Sequence, residues 1–295
     1  MASKSKVPTR DIGLEIGLVL ARYLLNTEEL HYGYWDTGVE VSLRNLPAAQ
    51  RRHMEFLLSH VPTDAATVLD VGCGTGALAH ELVQRGHQVE CVAPDSTLLD
   101  VAEARLQGRA KFYRERFEVF APGRQYDLIV FSESFQYPPL EPSMANIMRL
   151  LKPGGRLLIC DFFKAPGKPG SPIGGGHKLN KFLAACSAAG LTCLTDIDIT
   201  PFTAPNMTLV EEFFRQVGEP VWRILMDYAQ ANYPRRTGMA KWWFRKRLDK
   251  LERKYFSGQR NARTFSEFKT YRLFLMQKAP VGAAAQAPAL AAAGK

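Results

Sequence analysis

The stretch V-L-D-V-G-C-G-T-G, residues 68–76, constrains this chain more than any other part of it. A short apolar run closes in three glycines at alternate positions, and residues 77–85 continue with helical spacing. Glycine permits tight curvature and removes Cβ, so a strand-to-helix turn of this kind lets a ligand lie against the main chain. Asp70 stands inside the strand just before the turn, which suits a cationic ligand end such as an amino group better than a pyrophosphate. The phosphate-binding pattern that needs G-K followed by Ser or Thr is not met.

An alternation follows from that turn. Residues 89–92, 111–113, 127–131 and 156–161 read as strands, with helices at 97–106, 143–151 and 178–189. Strands and helices of these lengths in alternation imply a parallel sheet covered on both faces. After a strand at 191–197 the next convincing one is 271–277, and a gap of about seventy residues is too long for a loop. It predicts helices at 209–217, 221–231 and 239–256. The chain thus divides into N-terminal lid helices (1–60), a core (61–198), a helical cap (199–270), a last strand (271–278) and an Ala-rich tail (279–295) expected to be disordered.

Charge is concentrated in the cap. The whole chain has 38 Lys and Arg against 29 Asp and Glu, a net charge of +9. Residues 200–278 alone hold sixteen basic and seven acidic side chains, so nearly all of the excess lies there. Phe244, Leu248, Leu251 and Tyr255 recur at helical spacing, leaving a basic remaining surface. That helix is either solvated on the core or in contact with an anionic membrane surface or an acidic, lipid-like ligand, and the basic segment 241–272 is the expected place of any peripheral membrane or carrier-protein contact. Most aromatic side chains of the insertion are expected in the core of the cap, with a few, Trp243 among them, lining an apolar pocket.

Five cysteines without a C-x-x-C pair read as reduced core thiols, and no histidine spacing suggests a metal site. The apolar run 12–25, interrupted by Glu15 and Arg22, reads as an amphipathic helix rather than a signal or a bilayer span, so a cytoplasmic protein is expected.

The motifs at 68–76, Q-Y-D-L-I-V-F at 125–131 and L-K-P-G-G-R at 151–156, in this order, resemble the class I S-adenosylmethionine-dependent methyltransferases. L-H-Y-G-Y-W at 30–35 and S-E-S-F-Q-Y at 132–137 are similar to segments of the tocopherol, sterol and sugar branch, whose members act on small, often lipophilic molecules. The resemblance implies a doubly wound α/β fold: a mostly parallel, seven-stranded Rossmann-like sheet whose last strand is antiparallel, with N-terminal lid helices and a helical insertion before that strand. It implies S-adenosyl-L-methionine as cofactor, held by Asp70, Gly72, Cys73 and Gly74, with Ser132 nearby and Phe117 over the adenine. The acid that usually binds the ribose at the end of the second strand is replaced by Ala93, so Asp95 is the nearest substitute.

Methyl transfer from a sulfonium is an in-line displacement that needs alignment, and a base only where the nucleophile carries a proton. Glu133, at the carboxyl end of a central strand, either orients substrate and stabilises positive charge or caps the next helix. His177, after a glycine run, either takes a hydroxyl proton or caps the helix that follows it. His31, Tyr32, Tyr34 and Trp35 form an aromatic lid or ordinary N-terminal packing; in the lid reading Tyr34 reaches the cofactor, while His31 and Tyr137 meet the substrate. The expected reaction is methylation at oxygen or carbon of a small lipophilic acceptor. An RNA methyltransferase, motivated by the basic segment, and a non-catalytic cofactor-binding scaffold, motivated by Ala93, are the competing readings. The Asn/Asp-Pro-Pro-Tyr signature of amino-methylating enzymes is absent after the fourth strand, which argues against nucleic acid.

Overall fold

A computed structural model of the chain describes residues 9–94 and 97–280. The seven strands are β1 (Thr67–Val71), β2 (Gln88–Ala93), β3 (Lys111–Arg114), β4 (Tyr126–Ser132), β5 (Leu151–Lys164), β6 (Leu191–Asp198) and β7 (Lys269–Lys278). They form one sheet in the order β3-β2-β1-β4-β5-β7-β6. All neighbouring pairs are parallel except those of β7, which runs antiparallel to β5 and β6. The expected doubly wound sheet with a reversed last strand is therefore present. Its direction of winding reverses between β1 and β4, where open α/β sheets leave a crevice at the strand carboxyl ends.

Side-chain alternation sends the strands' apolar groups to two cores. Leu128 and Val130 of β4, with Leu158 and Cys160 of β5, face one side. There α2 (Leu46–Ser59), α3 (Ala77–Gln84), α4 (Thr97–Leu106), α8 (Asn206–Phe213) and α11 (Ala262–Phe268) cover them. Ile129 and Phe131 with Leu157 and Ile159 face the other, under α5 (Leu140–Leu150) and α6 (Leu179–Ala188). Asp127 holds the sheet's opposite end together: it accepts from Thr67 N at 2.8 Å and from Lys152 Nζ at 2.8 Å, joining β4 to β1 and β5. The Y-D-L and L-K-P-G-G landmarks are thus partners across one strand pair.

Element boundaries differ from expectation where local signals mislead. The P-G-G at 153–155 does not merely stop a helix; it lies inside β5, with the irregularity taken up between the Tyr126 and Leu128 pairings. Helix α11, begun by an Asn261 side chain that accepts from Thr264 N, was not anticipated at all.

Helix α1 (Thr9–Leu25) precedes α2, and a short helix α7 (Thr200–Thr203) leads from β6 into α8. The insertion continues through a π-helical turn at Phe214–Gly218 into α9 (Glu219–Asn232) and α10 (Pro234–Tyr255). Here the expectation of a buried aromatic core is corrected. No residue of α9 is buried and only Thr237 of α10 is, because the two helices form a hairpin that packs chiefly on itself. Trp242 and Trp243 are each 73% exposed. No helix among the described residues is long and apolar enough to cross a membrane.

Candidate active site

Building from β1, the turn 72–76 places Gly72, Gly74 and Gly76 at positive φ. A Cβ on Gly72 would stand 2.5 Å from that of Ser134, whose hydroxyl donates to Val71 O, so this glycine lets the β4 loop close against the turn. A Cβ on Gly74 would meet nothing within 4 Å, which leaves open space over the main chain there. Asp70 beneath is 1% exposed, and its Oδ2 has no hydrogen-bond partner. Burial pushes its pKa up to about 7. A buried, unpartnered carboxylate oxygen beside an open glycine turn fits the cationic amino acid end of S-adenosylmethionine, which would satisfy it electrostatically. The Cys73 thiol faces away into the core, against Cys91, so only the main chain of this residue is available to a ligand. Ala93 ends β2 without a ribose-binding group, and Asp95 lies outside the described residues.

Ser132 ends β4 and is half-buried. Glu133 follows in a left-handed conformation, φ 55°, which is costly for a residue with a Cβ and aims its carboxylate inward. Its Oε1 accepts from Tyr32 N at 2.8 Å and from the Tyr271 hydroxyl at 2.7 Å. The helix-capping alternative fails, since α5 begins seven residues later with Pro139 at its N-cap. Burial raises the Glu133 pKa.

Two histidines complete this cluster, both with ring nitrogens close to Glu133. His53 Nε2 lies 3.2 Å from the Tyr271 hydroxyl; burial, reinforced by the charge of His31, holds His53 well below the usual imidazole range. His31 Nε2 sits 3.0 Å from Glu29 Oε2, an ion-pair contact rather than a well-directed hydrogen bond. Burial opposes its protonation, yet Glu29 and then Glu133 carry its pKa above the ordinary value. The Tyr271 hydroxyl bridges Glu133 and His53, so hydrogen bonds account for this grouping. Asp161 on β5 accepts from Phe162 N, Gln136 N and Gln136 Nε2. Burial and then the charge of Glu133 push its pKa up to about 8.

The apolar wall of this cluster is aromatic. Tyr32 packs on Phe162, Phe265 and Tyr271 with ring centroids about 6 Å apart. The segment that carries Tyr32 is clasped by Asn206, which accepts from Gly33 N and donates to Gly33 O and Thr203 O. Gly33 is required by close approach, since a Cβ there would stand 2.6 Å from that of Ala49 on α2. Upstream, Thr75 donates to Glu28 O, and Arg105 pairs with Glu28, so the segment is also tied to the glycine turn. A cleft of about 420 Å³ opens beside it, lined by residues that include His31, Met54, Ala77 and Arg105.

Several expected site residues stand elsewhere. Tyr34 does not reach over the turn: its ring is stacked on Phe202 at 4.6 Å and leans on Phe56. Phe117 is buried edge-on against Phe131 below α5, so its ring is core rather than a cover for a ligand. His177 Nε2 donates to the carbonyls of Phe135 and Pro138, and burial lowers its pKa; this ring fastens the loop after β4. Tyr137 is exposed on that loop. Trp243 is exposed on the outer side of α10 and is not among the residues that line the cleft.

Sequence reasoning missed Tyr271, His53, Asp161 and Lys269, and named Tyr32 only as part of an aromatic lid. The His53 and Tyr271 signals are single polar groups on otherwise apolar faces, visible only once α2 is known to lie over β7. Lys269 is buried at the start of β7, donates to Gly175 O at 2.6 Å, and is pushed down to about 8 by burial and then by Lys164.

Comparison with known proteins bears on this geometry. Residues 68–155 match the model of the methyltransferase domain. The 27-O-demethylrifamycin SV methyltransferase of Amycolatopsis mediterranei (strain S699) is 27% identical over 213 residues, 65% of this chain and 77% of that protein. Matches to some further curated methyltransferases span about half of those proteins' length. Among solved structures, the 4+2 cyclase SpnF superposes with a TM-score of 0.64 at 18% identity, covering 95% of this chain and 100% of that one. The geranyl diphosphate C-methyltransferase of Streptomyces coelicolor A3(2), solved with Mg2+, geranyl-S-thiolodiphosphate and S-adenosyl-L-homocysteine, gives 0.62 at 16%, covering 93% and 94%. With the domain match, the glycine turn and the sheet order in agreement, the chain carries a methyltransferase domain of the class I S-adenosylmethionine-dependent kind.

Proposed function

We propose that this enzyme methylates an oxygen or carbon atom of a small, lipophilic, natural-product-like acceptor. The observation that carries the reading is the buried cluster of Glu133, His31, His53 and Tyr271 at the carboxyl ends of β4 and β5, walled by Tyr32, Phe162 and Phe265. Such a site offers an apolar body few ways to be wet and a polar end several groups to meet. Curated relatives named for 27-O-demethylrifamycin SV, ubiquinone biosynthesis and demethylmenaquinone support the same class.

S-adenosylmethionine, when bound, supplies a methyl group already activated on a sulfonium. Asp70 and the open turn at Gly74 would hold its amino acid end. For an oxygen acceptor, His31 takes the hydroxyl proton at Nε2, since its Nδ1 donates to Tyr32 O at 2.9 Å; Glu29, 3.0 Å from Nε2, and Glu133 stabilise the imidazolium that results. His31 replaces His177 in that role, because His177 Nε2 is committed to two carbonyls. For a carbon acceptor, the Glu133 carboxylate stabilises the positive charge that develops on the acceptor and then takes the proton that the methylated carbon releases. The Tyr32 segment lies over the cluster, so acceptor entry requires its displacement.

The test uses trideuteromethyl S-adenosylmethionine with a panel of phenolic, enolic, isoprenoid and amine acceptors, read by mass spectrometry. Labelled ethers or C-methyl products support the reading, and exclusive labelling of amines would overturn it.

A further inference from the structure

The α9–α10 hairpin carries a surface that methyl transfer does not use. At 100° per residue, Met239, Trp242, Trp243, Lys246, Lys250 and Arg253 fall within one arc of α10, and every one of them is exposed. The half-buried stripe of Leu248, Leu251 and Tyr255, in line with buried Thr237, lies on the opposite side. The two acidic residues of the helix, Asp249 and Glu252, fall outside the arc. Helix α9 repeats the arrangement without charge. Val221, Ile224, Leu225 and Tyr228 recur at spacings of three, one and three and are all exposed, Ile224 to 67%, while Trp222, Met226 and Ala229 turn inward.

A face on which large apolar side chains alternate with lysine and arginine is costly in water, since it exposes indole and aliphatic surface that none of the described residues covers. Two indoles bracketed by cations match the plane of a phospholipid headgroup layer. Tryptophan is favoured at that depth, and long basic side chains extend past it to the phosphates. Each lysine or arginine near an anionic bilayer adds to the attraction. The aliphatic row on α9 favours lipid over nucleic acid, because valine, isoleucine and leucine gain nothing from base stacking but do gain from acyl chains.

We infer that the exposed faces of α9 and α10 dock the enzyme on anionic phospholipid membranes, with Trp242 and Trp243 in the headgroup layer and Lys246, Lys250 and Arg253 on the phosphates. This goes beyond the methyl-transfer reading and does not depend on it. A lipophilic acceptor dissolved in that bilayer would be delivered beside the cap.

The test is co-sedimentation of the full chain with phosphatidylcholine vesicles and with vesicles of phosphatidylcholine and phosphatidylglycerol, at low and high salt, alongside an RNA gel-shift and sedimentation velocity. Expected are binding to the anionic vesicles at least tenfold tighter than to neutral ones, weakening with salt, and a blue shift of tryptophan emission. The double variant W242A/W243A and the charge reversal K246E/K250E should each lose at least tenfold, with unchanged circular dichroism and unchanged S-adenosylmethionine affinity. No preference for anionic vesicles, retained binding in both variants, tighter binding to RNA than to vesicles, or burial of the indoles in a dimer of this chain would overturn the inference. Intact cofactor affinity in all of these proteins would leave the methyltransferase reading standing whichever way the vesicles report.

Discussion

Asp70 shows how one side chain ties the fold to the chemistry. Its carboxyl is held at about 7 by burial alone, with one oxygen lacking any partner. A bound ammonium would favour the ionised form, so cofactor binding near pH 6.5 must release a proton. Calorimetry in buffers of different ionisation enthalpy should therefore give different apparent binding enthalpies, and Asp70→Asn should abolish the difference. Affinity should also rise from pH 5.5 to 8 as the fraction of ionised Asp70 grows. The two histidines separate in the same way. Oxygen methylation by His31→Ala should fall by about 10²–10⁴-fold in kcat, the range of general-base contributions. His177→Ala should retain most activity and lose thermal stability, because its hydrogen bonds go to Phe135 and Pro138. The reverse outcome would restore His177 as the base.

At the scale of elements, the lid is a segment held by a few directional contacts. Asn206→Ala removes three hydrogen bonds to the Gly33 and Thr203 backbone. It should cost about 1–3 kcal/mol of stability, the penalty of leaving buried partners unmade. Hydrogen exchange should speed up at residues 30–35 more than in β1 or β4; uniform acceleration would mean that the segment does not move as a unit. The elements themselves were largely legible in the sequence. The strand–glycine–helix signal at 68–85 and the apolar runs of β4 and β5 follow from local pattern alone, and the last strand's reversal follows from the family resemblance. Site positions were less so. Glu133 could be named because it directly follows a recognisable strand, whereas Tyr271 and His53 lie 138 and 80 positions from it and meet only through the packing of β7 under α2. Tyr34 and Phe117 failed for a related reason: an aromatic at the right place in sequence can turn toward either core, and here Phe202 and Phe131 offered the better-packed side.

For the whole molecule, buried titratable groups set how stability depends on pH. Asp70 at about 7 and Asp161 at about 8 bind more protons folded than unfolded, since aspartate in an unfolded chain titrates near 4. Through these two groups the unfolding free energy falls as pH rises between about pH 4 and 8, while His53 and His177, held below the ordinary imidazole range, oppose the fall up to about pH 6.5, so the net decline belongs to the interval from about 6.5 to 8. Lys269, at about 8, acts oppositely from there toward its unfolded value near 10.4, where the unfolded chain holds the extra proton. Scanning calorimetry should show a thermal midpoint that declines from about pH 6.5 to 8 and then levels, with Asp161→Asn flattening the decline. A midpoint rising between pH 6.5 and 8 would contradict it. A fold shared with a protein described as a cyclase makes cofactor binding the claim to test first. That test is isothermal titration of the full chain with S-adenosylmethionine and S-adenosylhomocysteine, alongside Asp70→Ala. Micromolar affinity, about −8 kcal/mol, lost in the variant, is the predicted result. Absence of binding to either ligand, or equal binding by Asp70→Ala, would contradict the account.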